Sequence, residues 1–270
     1  MHFTRSRTAR LFASAAIIAA IAALTAGCQT TQSTATTGSI ALAPSDRPDA
    51  DWQHDVQYYG ERYRADPTDV QVAVRYAQAL RATGQRAQAV AILQEISMQN
   101  PTNKVALGEY GRALADNGDY DQALAVFDRA HTPEQPDWRI LSAQGAVLDQ
   151  LGRHEEAQRH YLTALKIMPD EPSVLSNLGL SYALSKNLKD AEATLRQAVA
   201  QQPVDPRVRQ NLALVVGLQG RFAEAEQIAR ADLPPDQAAA NVAYLRQMLA
   251  RKGADMPIAN RAPRYPVGPS

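Results

Sequence analysis

Few side chains in this 270-residue sequence stand at spacings that could do chemistry. The densest string is His154-Glu155-Glu156-Ala157-Gln158-Arg159-His160. It begins like a metalloprotease helix, in which two histidines four residues apart hold zinc and an intervening glutamate activates water. Gln158 stands where the second histidine is needed, and His160 lies on a different helix face. His154 is therefore expected to pack between helices and not to bind a metal. Glu155 and Glu156 are adjacent, diverge on a helix, and read as solvated charges. The glycines are isolated, so no phosphate-cradling loop forms, and no serine sits in a nucleophile elbow. Cys28 is the single cysteine, which excludes an internal disulfide. The chain reads as non-enzymatic, with no cofactor.

The elements that carry these residues follow a strict period. Ala89, Ala123, Ala157, Ala191 and Ala225 are each 34 residues apart. Gly84, Gly118, Gly152 and Gly220 keep the same step five residues earlier, with Lys186 breaking the series. Ala77, Gly111, Gly145, Gly179 and Ala213 stand twelve before the alanines, and Leu93, Phe127, Tyr161 and Leu195 four after. Pro101, Pro169 and Pro203 close three of the units, and Pro133 and Pro136 flank the slot in another. The pattern predicts two amphipathic helices per unit, joined at the glycine and ended by proline. A small residue of the first helix is expected to face the small residue of the second, with the large residue four later filling the space beyond. One such pair cannot bury its apolar face, but a stack can. Period and pattern resemble the tetratricopeptide repeat. The resemblance implies an all-α solenoid of about five repeats, at 70–103, 104–137, 138–171, 172–205 and from 206, with capping helices at both ends.

The ends of the chain read separately. Trp52, Val56, Tyr59 and Tyr63 mark one face of a helix over 51–66, in register with the second helices and suited to cap the stack. Ala238, Val242, Leu245 and Leu249 do the same for a helix over 236–252, completing a repeat domain over 51–252. The four prolines of 253–270 predict a disordered tail. Residues 1–28 form a leader: Arg5, Arg7 and Arg10 precede an apolar run from Leu11 to Ala26, too short to span a bilayer comfortably. Residues 29–50, rich in Thr, Ser, Gln and Ala, read as a flexible tether reaching about 25 Å. Without the leader the chain carries 25 basic and 28 acidic residues, which gives no electrostatic case for nucleic acid. Leu24-Thr25-Ala26-Gly27-Cys28 resembles the bacterial lipobox, with Thr25 in the usual aliphatic place. The resemblance implies that Cys28 is lipidated and that Gln29 permits sorting to the outer membrane. Two or more acyl chains give stable anchoring.

In the tetratricopeptide family the first helices line a concave groove that holds segments of partner proteins. By that resemblance the groove here is Arg75, Arg81 and Arg112 toward one end, for acidic groups of a partner, and Asn177, Leu180, Leu184, Asn211, Leu214 and Leu218 toward the other. The lysine of a carboxylate-clamping groove is absent, since Ser176 and Gln210 hold the neighbouring slots. The leader, the tether, Gln57-Tyr58-Tyr59-Gly60-Glu61-Arg62-Tyr63, Arg75-Tyr76-Ala77-Gln78-Ala79-Leu80-Arg81 and the stretch Asn211–Arg221 together resemble the TadD lipoproteins of the Flp (tight adherence) pilus assembly system. That resemblance implies an outer-membrane assembly factor with a protein partner, the pilus secretin or another component of the system, and a pilotin role. The second reading is a lipoprotein scaffold for another envelope complex, in cell-wall or exopolysaccharide machinery.

Overall fold

The computed structural model describes residues 49–254. The leader, Cys28, most of the tether and the tail from residue 255 lie outside the described residues. Within them the chain forms α1 (Asp49–Ala65), then five pairs: α2 (Val70–Ala82) with α3 (Arg86–Gln99), α4 (Lys104–Asn117) with α5 (Tyr120–Ala130), α6 (Trp138–Gln150) with α7 (His154–Ile167), α8 (Pro172–Leu184) with α9 (Leu188–Ala200), and α10 (Pro206–Leu218) with α11 (Phe222–Ala229). Helix α12 (Pro235–Ala254) closes the stack. Helix α1 takes in the last two residues assigned to the tether, and α12 the first two assigned to the tail. Backbone helix bonds continue through both, so the composition shifts mark the helix ends only to within two residues.

Each first helix starts on a capping side chain. Asp69, Asn103, Asp137, Glu171 and Asp205 repeat at the step of 34, and each accepts a hydrogen bond from a backbone amide of the first turn. A cap of this kind is worth about 1 kcal/mol over alanine. Each first helix ends in a left-handed residue. Four are the expected glycines, and the fifth is Lys186, which takes φ 66° despite its side chain. The turn then closes by a backbone bond six residues long, as from the Asp119 amide to the Leu114 carbonyl at 2.9 Å.

Inside the pairs, small residues of the first helix meet both small and large residues of the second, as where a Cβ on Gly217 would lie 3.5 Å from Ala225. A Cβ built on Gly111 would lie 2.5 Å from the Phe127 ring, one on Gly145 2.7 Å from the Tyr161 ring, and one on Gly179 2.6 Å from Leu195. The small column of the first helix thus receives the large column of the second, and Phe127, Tyr161 and Leu195 are completely buried. The second-helix alanines, Ala157 among them, are also completely buried.

Along the stack, each first helix packs on the next first helix, from α2 through α12, while among the described residues no second-helix backbone comes close to another. The first helices therefore lie closer together, and the stack curves with them on its inner side. Helix α6 is the most enclosed, with ten consecutive residues, Ile140 to Asp149, buried.

Candidate groove on the inner face

The inner face is built from one side of α2, α4, α6, α8 and α10. At its first end two of the three cations are already engaged. Arg81 Nε donates to Asp116 Oδ2 at 2.6 Å and its Nη1 to Glu109 Oε2 at 3.0 Å, while Arg112 Nη1 donates to Glu109 Oε1 at 2.9 Å. These groups are mostly shielded from solvent, so the network ties α2 to α4. Arg75 is exposed and makes one long contact, 3.5 Å, with Gln78. Of the three arginines assigned to a partner's acidic groups, Arg75 alone has no acidic partner among the described residues.

The two asparagines act between repeats. Asn177 Nδ2 donates to Ser142 Oγ at 3.4 Å and Asn211 Nδ2 to Ser176 Oγ at 3.0 Å. Each bond joins consecutive first helices, α6 to α8 and α8 to α10. Ser176, in the slot beside Asn177 where a clamp would carry lysine, is thus used as an acceptor.

The leucines divide by depth. Leu180 is 8% exposed and belongs to the floor. Leu184 is 50% exposed, and Leu214 and Leu218 are half-buried. Between them and the charged end, α6 contributes the small side chains Ala143 and Ala146, both buried. A cleft of about 520 Å³ opens where α5 stops early and the loop of Pro133 and Pro136 leads into α6. Val105, Gly108, Arg112, Trp138, Arg139 and Ile140 line it. Arg139 stacks over the Trp138 ring at 4.4 Å. Val105 is 67% exposed, and its place in the groove column beside Gln71 and Arg139 is the signal by which the sequence reading could have found this cleft.

Beneath the floor, Asp149 holds a junction that the sequence reading missed. Its carboxylate is wholly buried and lies 2.8 Å from His154 Nδ1, while Ser181 Oγ donates to it at 2.8 Å and Tyr161 Oη at 3.1 Å. Burial pushes the Asp149 carboxyl up from the usual range, and the three polar contacts pull against it. His154 is therefore a partly exposed partner of a buried acid. His160 is half-buried, and burial, with His131 nearby, lowers its imidazole below the ordinary value. Among the described residues no group of three or more His, Cys, Asp or Glu is placed to hold a metal ion.

Comparison with known proteins agrees with this geometry. A family model described as tetratricopeptide repeat matches residues 56–105, 87–145 and 150–215, and a second with the same description matches 206–231. A comparison with curated protein sequences gave no match. Among solved structures, the chain is similar to PilW, described as a widely conserved type IV pilus biogenesis factor, with TM-score 0.63 and 16% identity over 72% of this chain and 91% of that one. It is similar to TTC0263, a thermophilic tetratricopeptide protein of Thermus thermophilus, with TM-score 0.57 and 24% identity over 66% and 99%. It is also similar to a chain of the Cut9–Hcn1 hetero-tetramer of APC/C, with TM-score 0.62 and 15% identity over 75% of this chain, but it spans only 40% of the length of that one. At these identities the structures speak for the fold. The repeat matches cover more than half of the sequence and lie within the stacked helices: the chain belongs to the tetratricopeptide-repeat family, whose members are protein-interaction scaffolds.

Proposed function

We propose that this chain is a lipoprotein, anchored to the outer membrane through Cys28, which holds a segment of a partner protein on its inner face and serves assembly of the Flp pilus machinery, as a pilotin for the secretin. The observation that carries the binding reading is the depth of the leucines. Leu184 stands half out of the surface, and the partly covered Leu218 holds the same slot one repeat later with Leu214 a turn before it, on the inner side of a curved stack. An apolar side chain left in water there gains by being covered, at roughly 25 cal/mol for each Å². The partly buried amides of Asn177 and Asn211 add polar groups on the same helices. An amphipathic helix or extended peptide with apolar anchors at one end fits this layout. Its acidic groups would meet Arg75, since Arg81 and Arg112 are held by Glu109 and Asp116. The leader, its lipobox and the fold shared with a pilus biogenesis factor support the envelope assignment.

The test is capture of the secretin from solubilised envelope by the chain carrying Leu184→Ser with Leu214→Ser. Leu180 is left in place because its burial would confuse binding with folding. Capture is expected to fall about tenfold or more with an unchanged helical signal, the scale of losing one apolar anchor. Cys28→Ser is expected to keep capture in solution and to lose outer-membrane fractionation. Wild-type capture by the double leucine variant would remove the groove reading, and capture of cell-wall enzymes instead of secretin would favour the other envelope assignment.

A further inference from the structure

The stack starts and stops on half a repeat. Helix α1 lies where a second helix would, ahead of α2, and no first helix precedes it among the described residues. Tyr59 holds the column of Leu93, Phe127, Tyr161 and Leu195, all 0% exposed in their complete pairs, yet it is only half-buried. Beside it Tyr58 is 45% exposed, stacked with His54 and covered on one side by Arg62. Helix α12 lies where a first helix would, after α11, and no second helix follows it among the described residues. It rests on α10 and α11 through Ala238, Val242 and Leu245, with Leu245 filling the place of a side chain at Gly217. Tyr244 and Met248, one turn apart, remain 61% and 47% exposed.

We propose that α1 of one copy docks on α12 of another, supplying the second helix that α12 lacks and the first helix that α1 lacks. The occupant is a second copy of this chain because the two ends complement each other in type and in charge. The first half of α1 carries Asp51 and Asp55 and no lysine or arginine, and the second half of α12 carries Arg246 and Arg251 and no acid. Helices within a pair run antiparallel here, joined by short turns. With the two midpoints level, that arrangement sets Asp51 opposite Arg251 and Tyr58 opposite Tyr244. The acidic start of α1 then meets the basic end of α12, as opposed macrodipoles also favour. The contact is head-to-tail, so it continues into a row of copies or closes into a ring. It uses only the end helices and leaves each inner face open to a partner, so it stands apart from the groove reading.

The experiment is sedimentation velocity of the full chain in mild detergent, from about 1 to 100 µM, a range that brackets micromolar association. The wild type is expected to form dimers and longer species with rising concentration. Two variants each block one end: Asp51→Arg with Tyr58→Ser on α1, and Tyr244→Ser with Met248→Ser on α12. All four positions are exposed, and each variant is checked for unchanged helical signal and melting temperature. Each alone is expected to stay monomeric in the same detergent, which controls for shared micelles. An equal mixture is expected to give dimers and nothing larger, because one intact end of each kind remains. Asp51→Arg alone is expected to weaken association about tenfold, and the chain with both Asp51→Arg and Arg251→Asp to recover it. A wild type that stays monomeric throughout, end variants that associate like it, or a mixture that gives no dimer would each overturn the proposal.

Discussion

Tyr161 shows how tightly single residues are fixed in this fold. Its ring lies against Gly145 and its hydroxyl bonds to the buried Asp149, so it is held at both ends. Gly145→Ala is therefore expected to destabilise the chain. Alanine gains about 1 kcal/mol over glycine in a helix interior, but its Cβ would meet a ring with no room to move, and overpacking costs about 1–3 kcal/mol. Urea unfolding of the variant should show a lower midpoint at unchanged slope. Lys186→Gly should shift the midpoint the other way, for a gain of about 1 kcal/mol in unfolding free energy, because it relieves a left-handed residue that has a side chain. The columns of small and large residues were legible in the sequence, because spacing fixes the face of a helix on which a side chain lies. How closely the columns mesh was not, since that depends on how far each helix is rotated about its axis. The same limit hid Asp149, whose three polar contacts come from α7 and α8 and leave no mark in the local pattern.

At the scale of elements, the stack is joined by polar links that change in kind along its length. Arg81 ties α2 to α4, Asn177 ties α6 to α8, Asn211 ties α8 to α10, and a denser cluster of long side chains reaches from α9 to the start of α11. In that cluster Glu192 accepts from Arg221 at 2.7 and 3.0 Å, from Arg196 and from Gln219. The Arg221 guanidinium, helped by Arg196 and Gln219 and opposed by burial, holds the Glu192 carboxyl at about 2, against an ordinary 4.5. A carboxyl depressed in the folded state lends stability that is fully present above 4.5 and disappears as the pH falls toward 2. Glu192→Gln is expected to lower the urea midpoint most at pH 7, with the gap to the wild type closing between about pH 4.5 and 2. A gap that stays constant across that window would show the ion pairs to be without energetic weight. The capping side chains were legible in principle, since Asp69, Asn103, Asp137, Glu171 and Asp205 keep the period and a proline follows both Glu171 and Asp205.

For the stack as a whole, enclosure rises toward the middle. Helix α6 has neighbours on every side, whereas α1 and α12 have them on one. Amide hydrogen exchange of the dilute chain is expected to be slowest in α6 and fastest in α1 and α12, as stacked repeats open from their ends. The candidate groove was legible to the level of which columns face inward. Depth was not, so Leu180 and Leu184, four residues apart, turn out as floor and rim. The arginines likewise could be placed on a face, but their acidic neighbours lie mainly in the adjacent repeat and were not paired in advance. The contact pattern that curves the stack also governs how it deforms. First helices are linked edge to edge by Arg81–Asp116, Asn177–Ser142 and Asn211–Ser176, while the backbones of second helices stand apart, bridged at most by long side chains. Such a body is stiff along its inner line and compliant along its outer one, like a spring leaf pinned on one side. A load applied between its ends is taken up by opening or closing the spaces between second helices, and the inner face changes radius while its own links stay made.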